Sequence, residues 1–365
     1  MKLRRSLPAK QSGVAILIFV TLIVLTFSTL LINQLSVNQR ANNQTEASLG
    51  SLNLAKQSLV GYGLSHTIPG TLPCPDTTGD GLENPQGANC QSALGLFPHR
   101  TLNSPLLVDG SGARLWYAVD LNHTANAASL KNSSIATSLT LNGISSAALV
   151  IGPGAAVDVQ SRRLLNQSDH LEGLNANADF TTFESIHSLT QNDLILPLQS
   201  GPYWTQIERL VLSTTDSLVG TYRAACGEYP WAATFGGPFD STTNLQIGSP
   251  PFATALPDAW GAICASGTAP VPPAWLTNNW SDQLLYRMCL SGEGNCVSIV
   301  SDNPTTAAGI ILAPGVSLGV QVRPDTNTND YFEAENINLP DSLFRLTTLL
   351  EHDTTYNDSS RALNP

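Results

Sequence analysis

Nineteen consecutive residues, Val14–Ile32, carry no charge, and four cations (Lys2, Arg4, Arg5 and Lys10) precede them. As a helix rising 1.5 Å per residue, such a run spans the hydrocarbon core of a bilayer. The basic flank holds its own end in the cytoplasm and sends the remainder across. No small-residue signal-peptidase site follows, and polar residues begin at Asn33-Gln34. Apolar spacing nevertheless continues through Leu35, Val37, Leu49, Leu52, Leu59 and Val60, so one helix is expected over 14–65. Leu49, Leu52, Leu59 and Tyr62 form its expected apolar face, Gly61 and Gly63 loosen its end, and Pro69-Gly70 stops it.

The junction Lys10-Gln11-Ser12-Gly13, followed by an apolar helix that runs into an amphipathic one, resembles the class III leader of type IV prepilins and type II secretion pseudopilins. The resemblance implies a leader over 1–13, cleavage after Gly13 by the prepilin peptidase, a mature chain starting at Val14, and a transmembrane and stem helix over 14–65. Major pilins carry a Glu at the fifth mature position, which here is Ile18. A carboxylate buried in a filament needs a charge partner, and there it finds a neighbour's amine; Ile18 offers none. The tip pseudopilin of type II secretion filaments is similar in lacking that Glu and in its large globular part. A minor or tip subunit is implied, with other pilin or pseudopilin subunits, the prepilin peptidase and the inner membrane as partners. Its N-terminus would be cytoplasmic and the remainder periplasmic or extracellular. The alternative is a single-span anchor holding a periplasmic binding or adhesion domain with no filament role.

Charged residues make up 12% of the chain, and Gly, Pro, Ser, Thr and Asn are abundant, which fits a loop-rich exported protein. Cleavage after Gly13 removes four cations and no acid, taking the net charge from −11 to −15. An acidic body argues against nucleic acid as a partner. Six cysteines in an exported chain point to disulfides. Sequence-adjacent pairing (Cys74–Cys90, Cys226–Cys264, Cys289–Cys296) closes the shortest loops. No C-x-x-C occurs, which argues against structural zinc.

The densest local motif runs from Leu72 to Asn84. Asp76, Thr78, Asp80, Leu82 and Asn84, with Gly81 at the sharp turn, match the front half of a calcium loop of the EF-hand type. Position twelve is Gly87, so the bidentate Glu is missing. A Gly/Asp turn tied by Cys74–Cys90 is the competing reading, and calcium is the one cofactor considered. Pro73-Cys74-Pro75-Asp76, Gly79-Asp80-Gly81, Arg100-Thr101-Leu102 and Leu115-Trp116-Tyr117-Ala118-Val119 together resemble a group of bacterial prepilin-like proteins over roughly residues 10–120. His99-Arg100 is expected to pack on the Asp76 turn, and Leu115–Val119 to form an apolar strand or a buried helix segment.

The chain repeats itself. Ala148-Leu149-Val150-Ile151-Gly152-Pro153-Gly154 returns as Gly309-Ile310-Ile311-Leu312-Ala313-Pro314-Gly315, an offset of 161. At the same offset His170–Asn175 returns as Tyr331–Asn336 and Phe183 as Phe344, while Leu115-Trp116-Tyr117 corresponds to Leu284-Leu285-Tyr286. Matched segments of this kind indicate duplicated supersecondary structure. Each copy is expected to hold a buried strand, a Pro-Gly turn and a Glu-x-x-Asn segment that caps a short helix or ties loops together. The expected fold is α+β: a long N-terminal hydrophobic helix, then an internally duplicated, disulfide-tied region. Repeat unit 1 covers 66–200. Residues 201–365 hold a connecting helix, an irregular segment and repeat unit 2.

In the connecting helix, Trp204, Ile207, Leu210, Val211 and Leu218 point inward and Glu208-Arg209 outward. Aromatic residues of the irregular stretch (Phe235, Phe239, Phe252, Trp260, Trp275, Trp280) either line a partner surface or pack under loops. One catalytic pattern occurs, Gly315-Val316-Ser317-Leu318-Gly319, with Asp325, Asp330 and His352 downstream. A nucleophile elbow needs a helix after the Ser, and Gly319–Pro324 reads as extended, so the sequence argues against a hydrolase.

Overall fold

The structure is a computed structural model that describes residues 12–125, 130–157, 160–162, 165–176, 179–186, 188, 190–237, 244–252, 270–290, 292–300, 305–324, 326–337, 343–345 and 355–363. Helix α1 (Ser12–Ser65) is 54 residues long. It stops where Gly70, at φ 91°, turns back and donates its N–H to the carbonyl of Gly63 at 2.9 Å, a conformation that glycine adopts without strain.

The first unit carries a small hairpin, β1 (Pro85–Gln86) and β2 (Asn89–Cys90), and then β3 (Leu94–Leu96), β4 (Trp116–Val119), β5 (Thr140–Leu141), β6 (Ile144–Gly152), β7 (Thr182–Phe183) and β8 (Leu194–Gln199). Strands β3, β4, β6 and β8 form an antiparallel sheet in that spatial order. At one end β5 pairs with β6 and, in parallel, with β7.

Helix α2 (Ser200–Cys226) opens the second unit, followed by β9 (Ile247–Gly248), α3 (Ala274–Trp280), β10 (Leu285–Met288), β11 (Val297–Val300), β12 (Thr305–Ala307), β13 (Gly309–Ala313), β14 (Leu343–Arg345) and β15 (Ser359–Leu363). The sheet β9-β10-β13-β15 is again antiparallel, and β11 pairs in parallel with β14.

The two units match in register. Tyr117 faces Val150 as Tyr286 faces Ile311, and Leu141 faces Phe183 as Ile299 faces Phe344. Tyr117 donates its hydroxyl to the carbonyl of Pro73 at 3.1 Å; Tyr286 does the same to Pro230 at 3.0 Å. Each helix packs on the sheet that follows it, α1 over β6 and β8, α2 over β13 and β15. Helix α2 is therefore the second unit's own helix, not merely the expected connector.

Alternation along the strands divides the core. Tyr117, Val119, Ala148 and Val150, with Tyr286, Ile311 and Ala313, face the helices in one shared core with Leu52, Leu59, Trp204, Ile207 and Val211. Trp116, Leu149, Ile151 and Phe183 fill a second cluster on the opposite face of the first sheet; Leu285, Ile310, Leu312 and Phe344 do so on the second. This is why the apolar runs of β6 and β13 show no polar alternation: both faces are covered. Full burial of each large side chain stabilises by about 1.5–3 kcal/mol.

Helix α2 lies against α1 and both sheets, so it is wetted less than an amphipathic pattern implies. Glu208, expected outward, is fully buried, whereas Arg209 is exposed. The units are also stitched directly, with Ser133 donating to the carbonyl of Pro314 and Asn132 to that of Asn279. Disulfides Cys74–Cys90 and Cys289–Cys296 form as expected. Cys226 is disulfide-bonded as well, and Cys264 lies outside the described residues. Phe252 and Trp280 are buried, and Phe235 packs edge-on against Tyr331 and Phe332, which fits packing under loops; Phe239 and Trp260 lie outside the described residues.

Candidate functional site

Helix α1 changes character along its length. Leu52, Ala55 and Leu59 are 0% exposed, while Leu17, Phe19 and Phe27 are 66%, 65% and 64% exposed. Between Leu17 and Thr29 the polar side-chain groups that Thr21, Thr26 and Thr29 carry are turned inward, each hydroxyl donating to a carbonyl three or four residues back. Apart from the exposed Ser28, the other side chains described over 17–29 are apolar. Ile18, at the fifth position after Gly13, is 53% exposed on this stretch. Gly13 and Val14 lie in its helical backbone, and Lys10-Gln11 lies outside the described residues. Among the described residues no helix is long and apolar enough to cross a membrane; the side chains described in this stretch are only those of 17–29.

The Asp76 loop is held by its own backbone. Asp76 is 1% exposed. Its Oδ1 accepts from the N–H groups of Thr78 (3.1 Å) and Gly79 (2.6 Å), its Oδ2 from Gly81 (2.7 Å), and Arg114 Nη2 stands 3.4 Å from Oδ2. Asp80 Oδ1 accepts from Leu82 N–H, and Asn84 Oδ1 from Thr77 N–H. The oxygens that a cation would use are thus directed at amides of the same turn, the arrangement of an Asx-type turn closed by Cys74–Cys90. Thr78 turns its hydroxyl to Asp76 as well, and Leu82 is exposed. Among the described residues no group of three or more His, Cys, Asp or Glu comes together as a metal site. His99 and Arg100 pack on the turn as expected: a Cβ on Gly81 would meet the His99 ring at 2.3 Å, and Arg100 donates to the carbonyls of Gly81 and Asp80.

Sequence reasoning singled out the two Glu-x-x-Asn segments without finding what they bind. In the first unit Glu172 Oε1 accepts from Gln160 (2.8 Å) and Oε2 from Asn192 N–H (3.1 Å), while Asp193 Oδ2 accepts from Glu172 N–H (3.1 Å) and Asn175 Nδ2 (2.9 Å). In the second, Glu333 takes Gln321 (2.7 Å) and Asn357 N–H (3.2 Å), and Asp358 takes Glu333 N–H (3.0 Å) and Asn336 Nδ2 (2.9 Å). Arg162 and Arg323 each donate to the carbonyl of the Pro-Gly turn, at Gly154 and Gly315. The partners missed, Gln160-x-Arg162 and Asn192-Asp193, recur as Gln321-x-Arg323 and Asn357-Asp358, a signal already present in the sequence.

These polar knots pin the loop beyond each sheet onto the sheet's end. Both carboxylates of each knot are at least nine-tenths buried. Burial first, then the neighbouring Glu172, pushes Asp193 up to about 7, against the hydrogen bond from Asn175. Asp358 is raised well above the carboxylate range for the same reasons, with Glu333 as its neighbour. Glu208 is pushed up to about 8 by burial, and its Oε2 accepts from Ser359 Oγ at 2.6 Å. Asp358 and Glu208 are thereby kept largely protonated at neutral pH and Asp193 about half protonated, a structural role here, since one oxygen of each accepts from amides or a hydroxyl.

The chain after Ser317 is not helical, and no nucleophile elbow forms there. Asp330 accepts from Val322 N–H, while Asp325 and His352 lie outside the described residues. A comparison of the chain with protein-family models, curated proteins and solved structures finds no match.

Proposed function

We propose that this chain is a minor or tip subunit of a type IV pilus or type II secretion filament, held in the inner membrane by the proximal half of α1. The observation that carries the reading is the division of α1 into a distal half locked into the core by Leu52, Ala55 and Leu59 and a proximal half presenting Leu17, Phe19 and Phe27 to its surroundings. Water is a poor environment for that surface at about 25 cal/mol per Å² of apolar area. Lipid before assembly and neighbouring subunit helices afterwards would cover it. Ile18 in place of an acid leaves a neighbour's terminal amine unpaired, which favours a place at an end of the filament over one within its body.

The test is a photocrosslinking residue at Phe19 in cells that assemble the filament. Adducts to prepilin-class subunits support the reading. Adducts confined to lipid, with the filament machinery present, favour the second reading, a single-span periplasmic binding protein without a filament role. That second reading draws on the open cavities of the globular part.

A further inference from the structure

Between the turn that precedes β4 and the loop that follows β6 lies a cavity of about 520 Å³, lined by Leu96, Arg114, Leu165, Arg162 and His170 among others. Two guanidinium groups and an imidazole thus share one cavity in a chain of net charge −11, and no carboxylate of the described residues lines it. Asp76, fully buried behind Arg114, compensates one of the two cations from 3.4 Å. Arg162 is not compensated in this way. Its described bonds go to the carbonyls of Gly154 and Pro153 and to the amide oxygen of Gln160, and its Nε is buried without a hydrogen bond.

The second unit supplies an internal control. Arg323 occupies the position of Arg162, but there Tyr331 replaces His170. Tyr331 is fully buried, with Phe235 packed edge-on at 5.5 Å and Arg323 stacked 5.1 Å over its ring. Arg323 also engages Asp330, Tyr331, Gly315 and Gln321 through Nε and both terminal nitrogens. One framework therefore exists in two forms: in the second unit an aromatic ring fills the place of His170 and the cavity beside Arg323 faces Ser133–Thr137 and Gln199–Pro202, whereas in the first unit the cavity joins two guanidinium groups and an imidazole.

We propose that the open cavity of the first unit binds a carboxylate carried on an apolar body. The cations supply charge-assisted hydrogen bonds that are strong in a recessed site. Leu96, Leu165 and the small side chains Ala155 and Ala156 supply the apolar walls. The volume lies in the range of small-ligand sites. The same chemistry is offered by a free short-chain acid and by the C-terminal residue of a partner polypeptide.

Titration calorimetry of the full chain in detergent with hexanoate and with N-acetyl-Ala-Leu, each against its uncharged amide, tests this. Tryptophan fluorescence gives a second readout, the Trp116 ring lying 5.2 Å from that of His170. At least one acid should bind at millimolar concentration or below, with its amide at least about tenfold weaker. Binding of hexanoate alone identifies a free acid as the ligand, and binding of the peptide alone a chain terminus. His170→Tyr, which installs the residue with which the second unit folds, should weaken the acid at least about tenfold while leaving the melting temperature in place. Arg162→Gln should weaken it similarly if His170→Tyr fails to fold. No binding of either acid, equal binding of acid and amide, or undiminished binding by a folded variant would overturn the proposal.

Discussion

Asn175 donates its Nδ2 hydrogen to Asp193 Oδ2 at 2.9 Å, joining the end of the first sheet to the loop that crosses it. Asn336 and Asp358 repeat the contact at 2.9 Å in the second unit. Because Asn175 is 0% exposed, removing its amide strands the carboxyl partner and the N–H of Glu184 that it also receives. Asn175→Ala and Asn336→Ala should each lower stability by about 1–3 kcal/mol, measured by chemical denaturation. Asp193→Asn keeps an acceptor for Asn175 and for Glu172 N–H, and should cost less than Asn175→Ala.

The buried acids give stability a pH dependence of definite sign. Asp193 titrates near 7 in the fold and near 4 when unfolded, so the unfolded chain loses that proton first. Its contribution is complete below about pH 4 and is lost as pH rises towards 7, at up to about 1.4 kcal/mol per pH unit. Asp358 and Glu208, both raised, act in the same direction, with Glu208 extending the window to about 8. The melting temperature should fall from pH 5 to pH 8, and Asp193→Asn should flatten part of that slope. A melting temperature that rises over this interval contradicts the assignment.

Gly63 marks where α1 meets α2. A Cβ there would lie 2.2 Å from the Tyr203 hydroxyl oxygen. Replacing a helical Gly by Ala gains about 1 kcal/mol of helix propensity, whereas overpacking costs about 1–3 kcal/mol. With Tyr203 fully buried and unable to step aside, overpacking wins and Gly63→Ala should destabilise. Tyr203→Phe, which removes the colliding oxygen, should recover part of the loss in the double mutant.

The Asp76 turn should be indifferent to calcium, because amide hydrogens already occupy its carboxylate oxygens. Melting curves in calcium and in chelator should coincide, while Asp76→Ala, which strands those amides, should cost about 1–3 kcal/mol. A higher melting temperature in calcium, abolished by Asp80→Ala, would restore the cation loop.

Much of this architecture was legible in the chain. Apolar runs ended by Pro153-Gly154 and Pro314-Gly315 located β6 and β13, whereas Phe183 and Phe344 showed only as matched positions, and their parallel pairing at the sheet ends emerged with the fold. Glu208 was misread because period-based reasoning assumes one wet helix face, and α2 has protein on several sides. Asn192-Asp193 escaped notice because its counterpart lies at an offset of 165 instead of 161, a loop-length change that breaks a fixed-period search. The open cavity joins Arg114, Arg162 and His170 from separate loops, and no local spacing announces it.

Whether the chain is cut after Gly13 is tested most directly by mass spectrometry of the N-terminus of the membrane-extracted protein, from cells with and without prepilin peptidase. A filament subunit should start at Val14 when the peptidase is present and at Met1 when it is absent. A chain starting at Met1 in both would contradict the filament reading and make the proximal half of α1 a plain anchor.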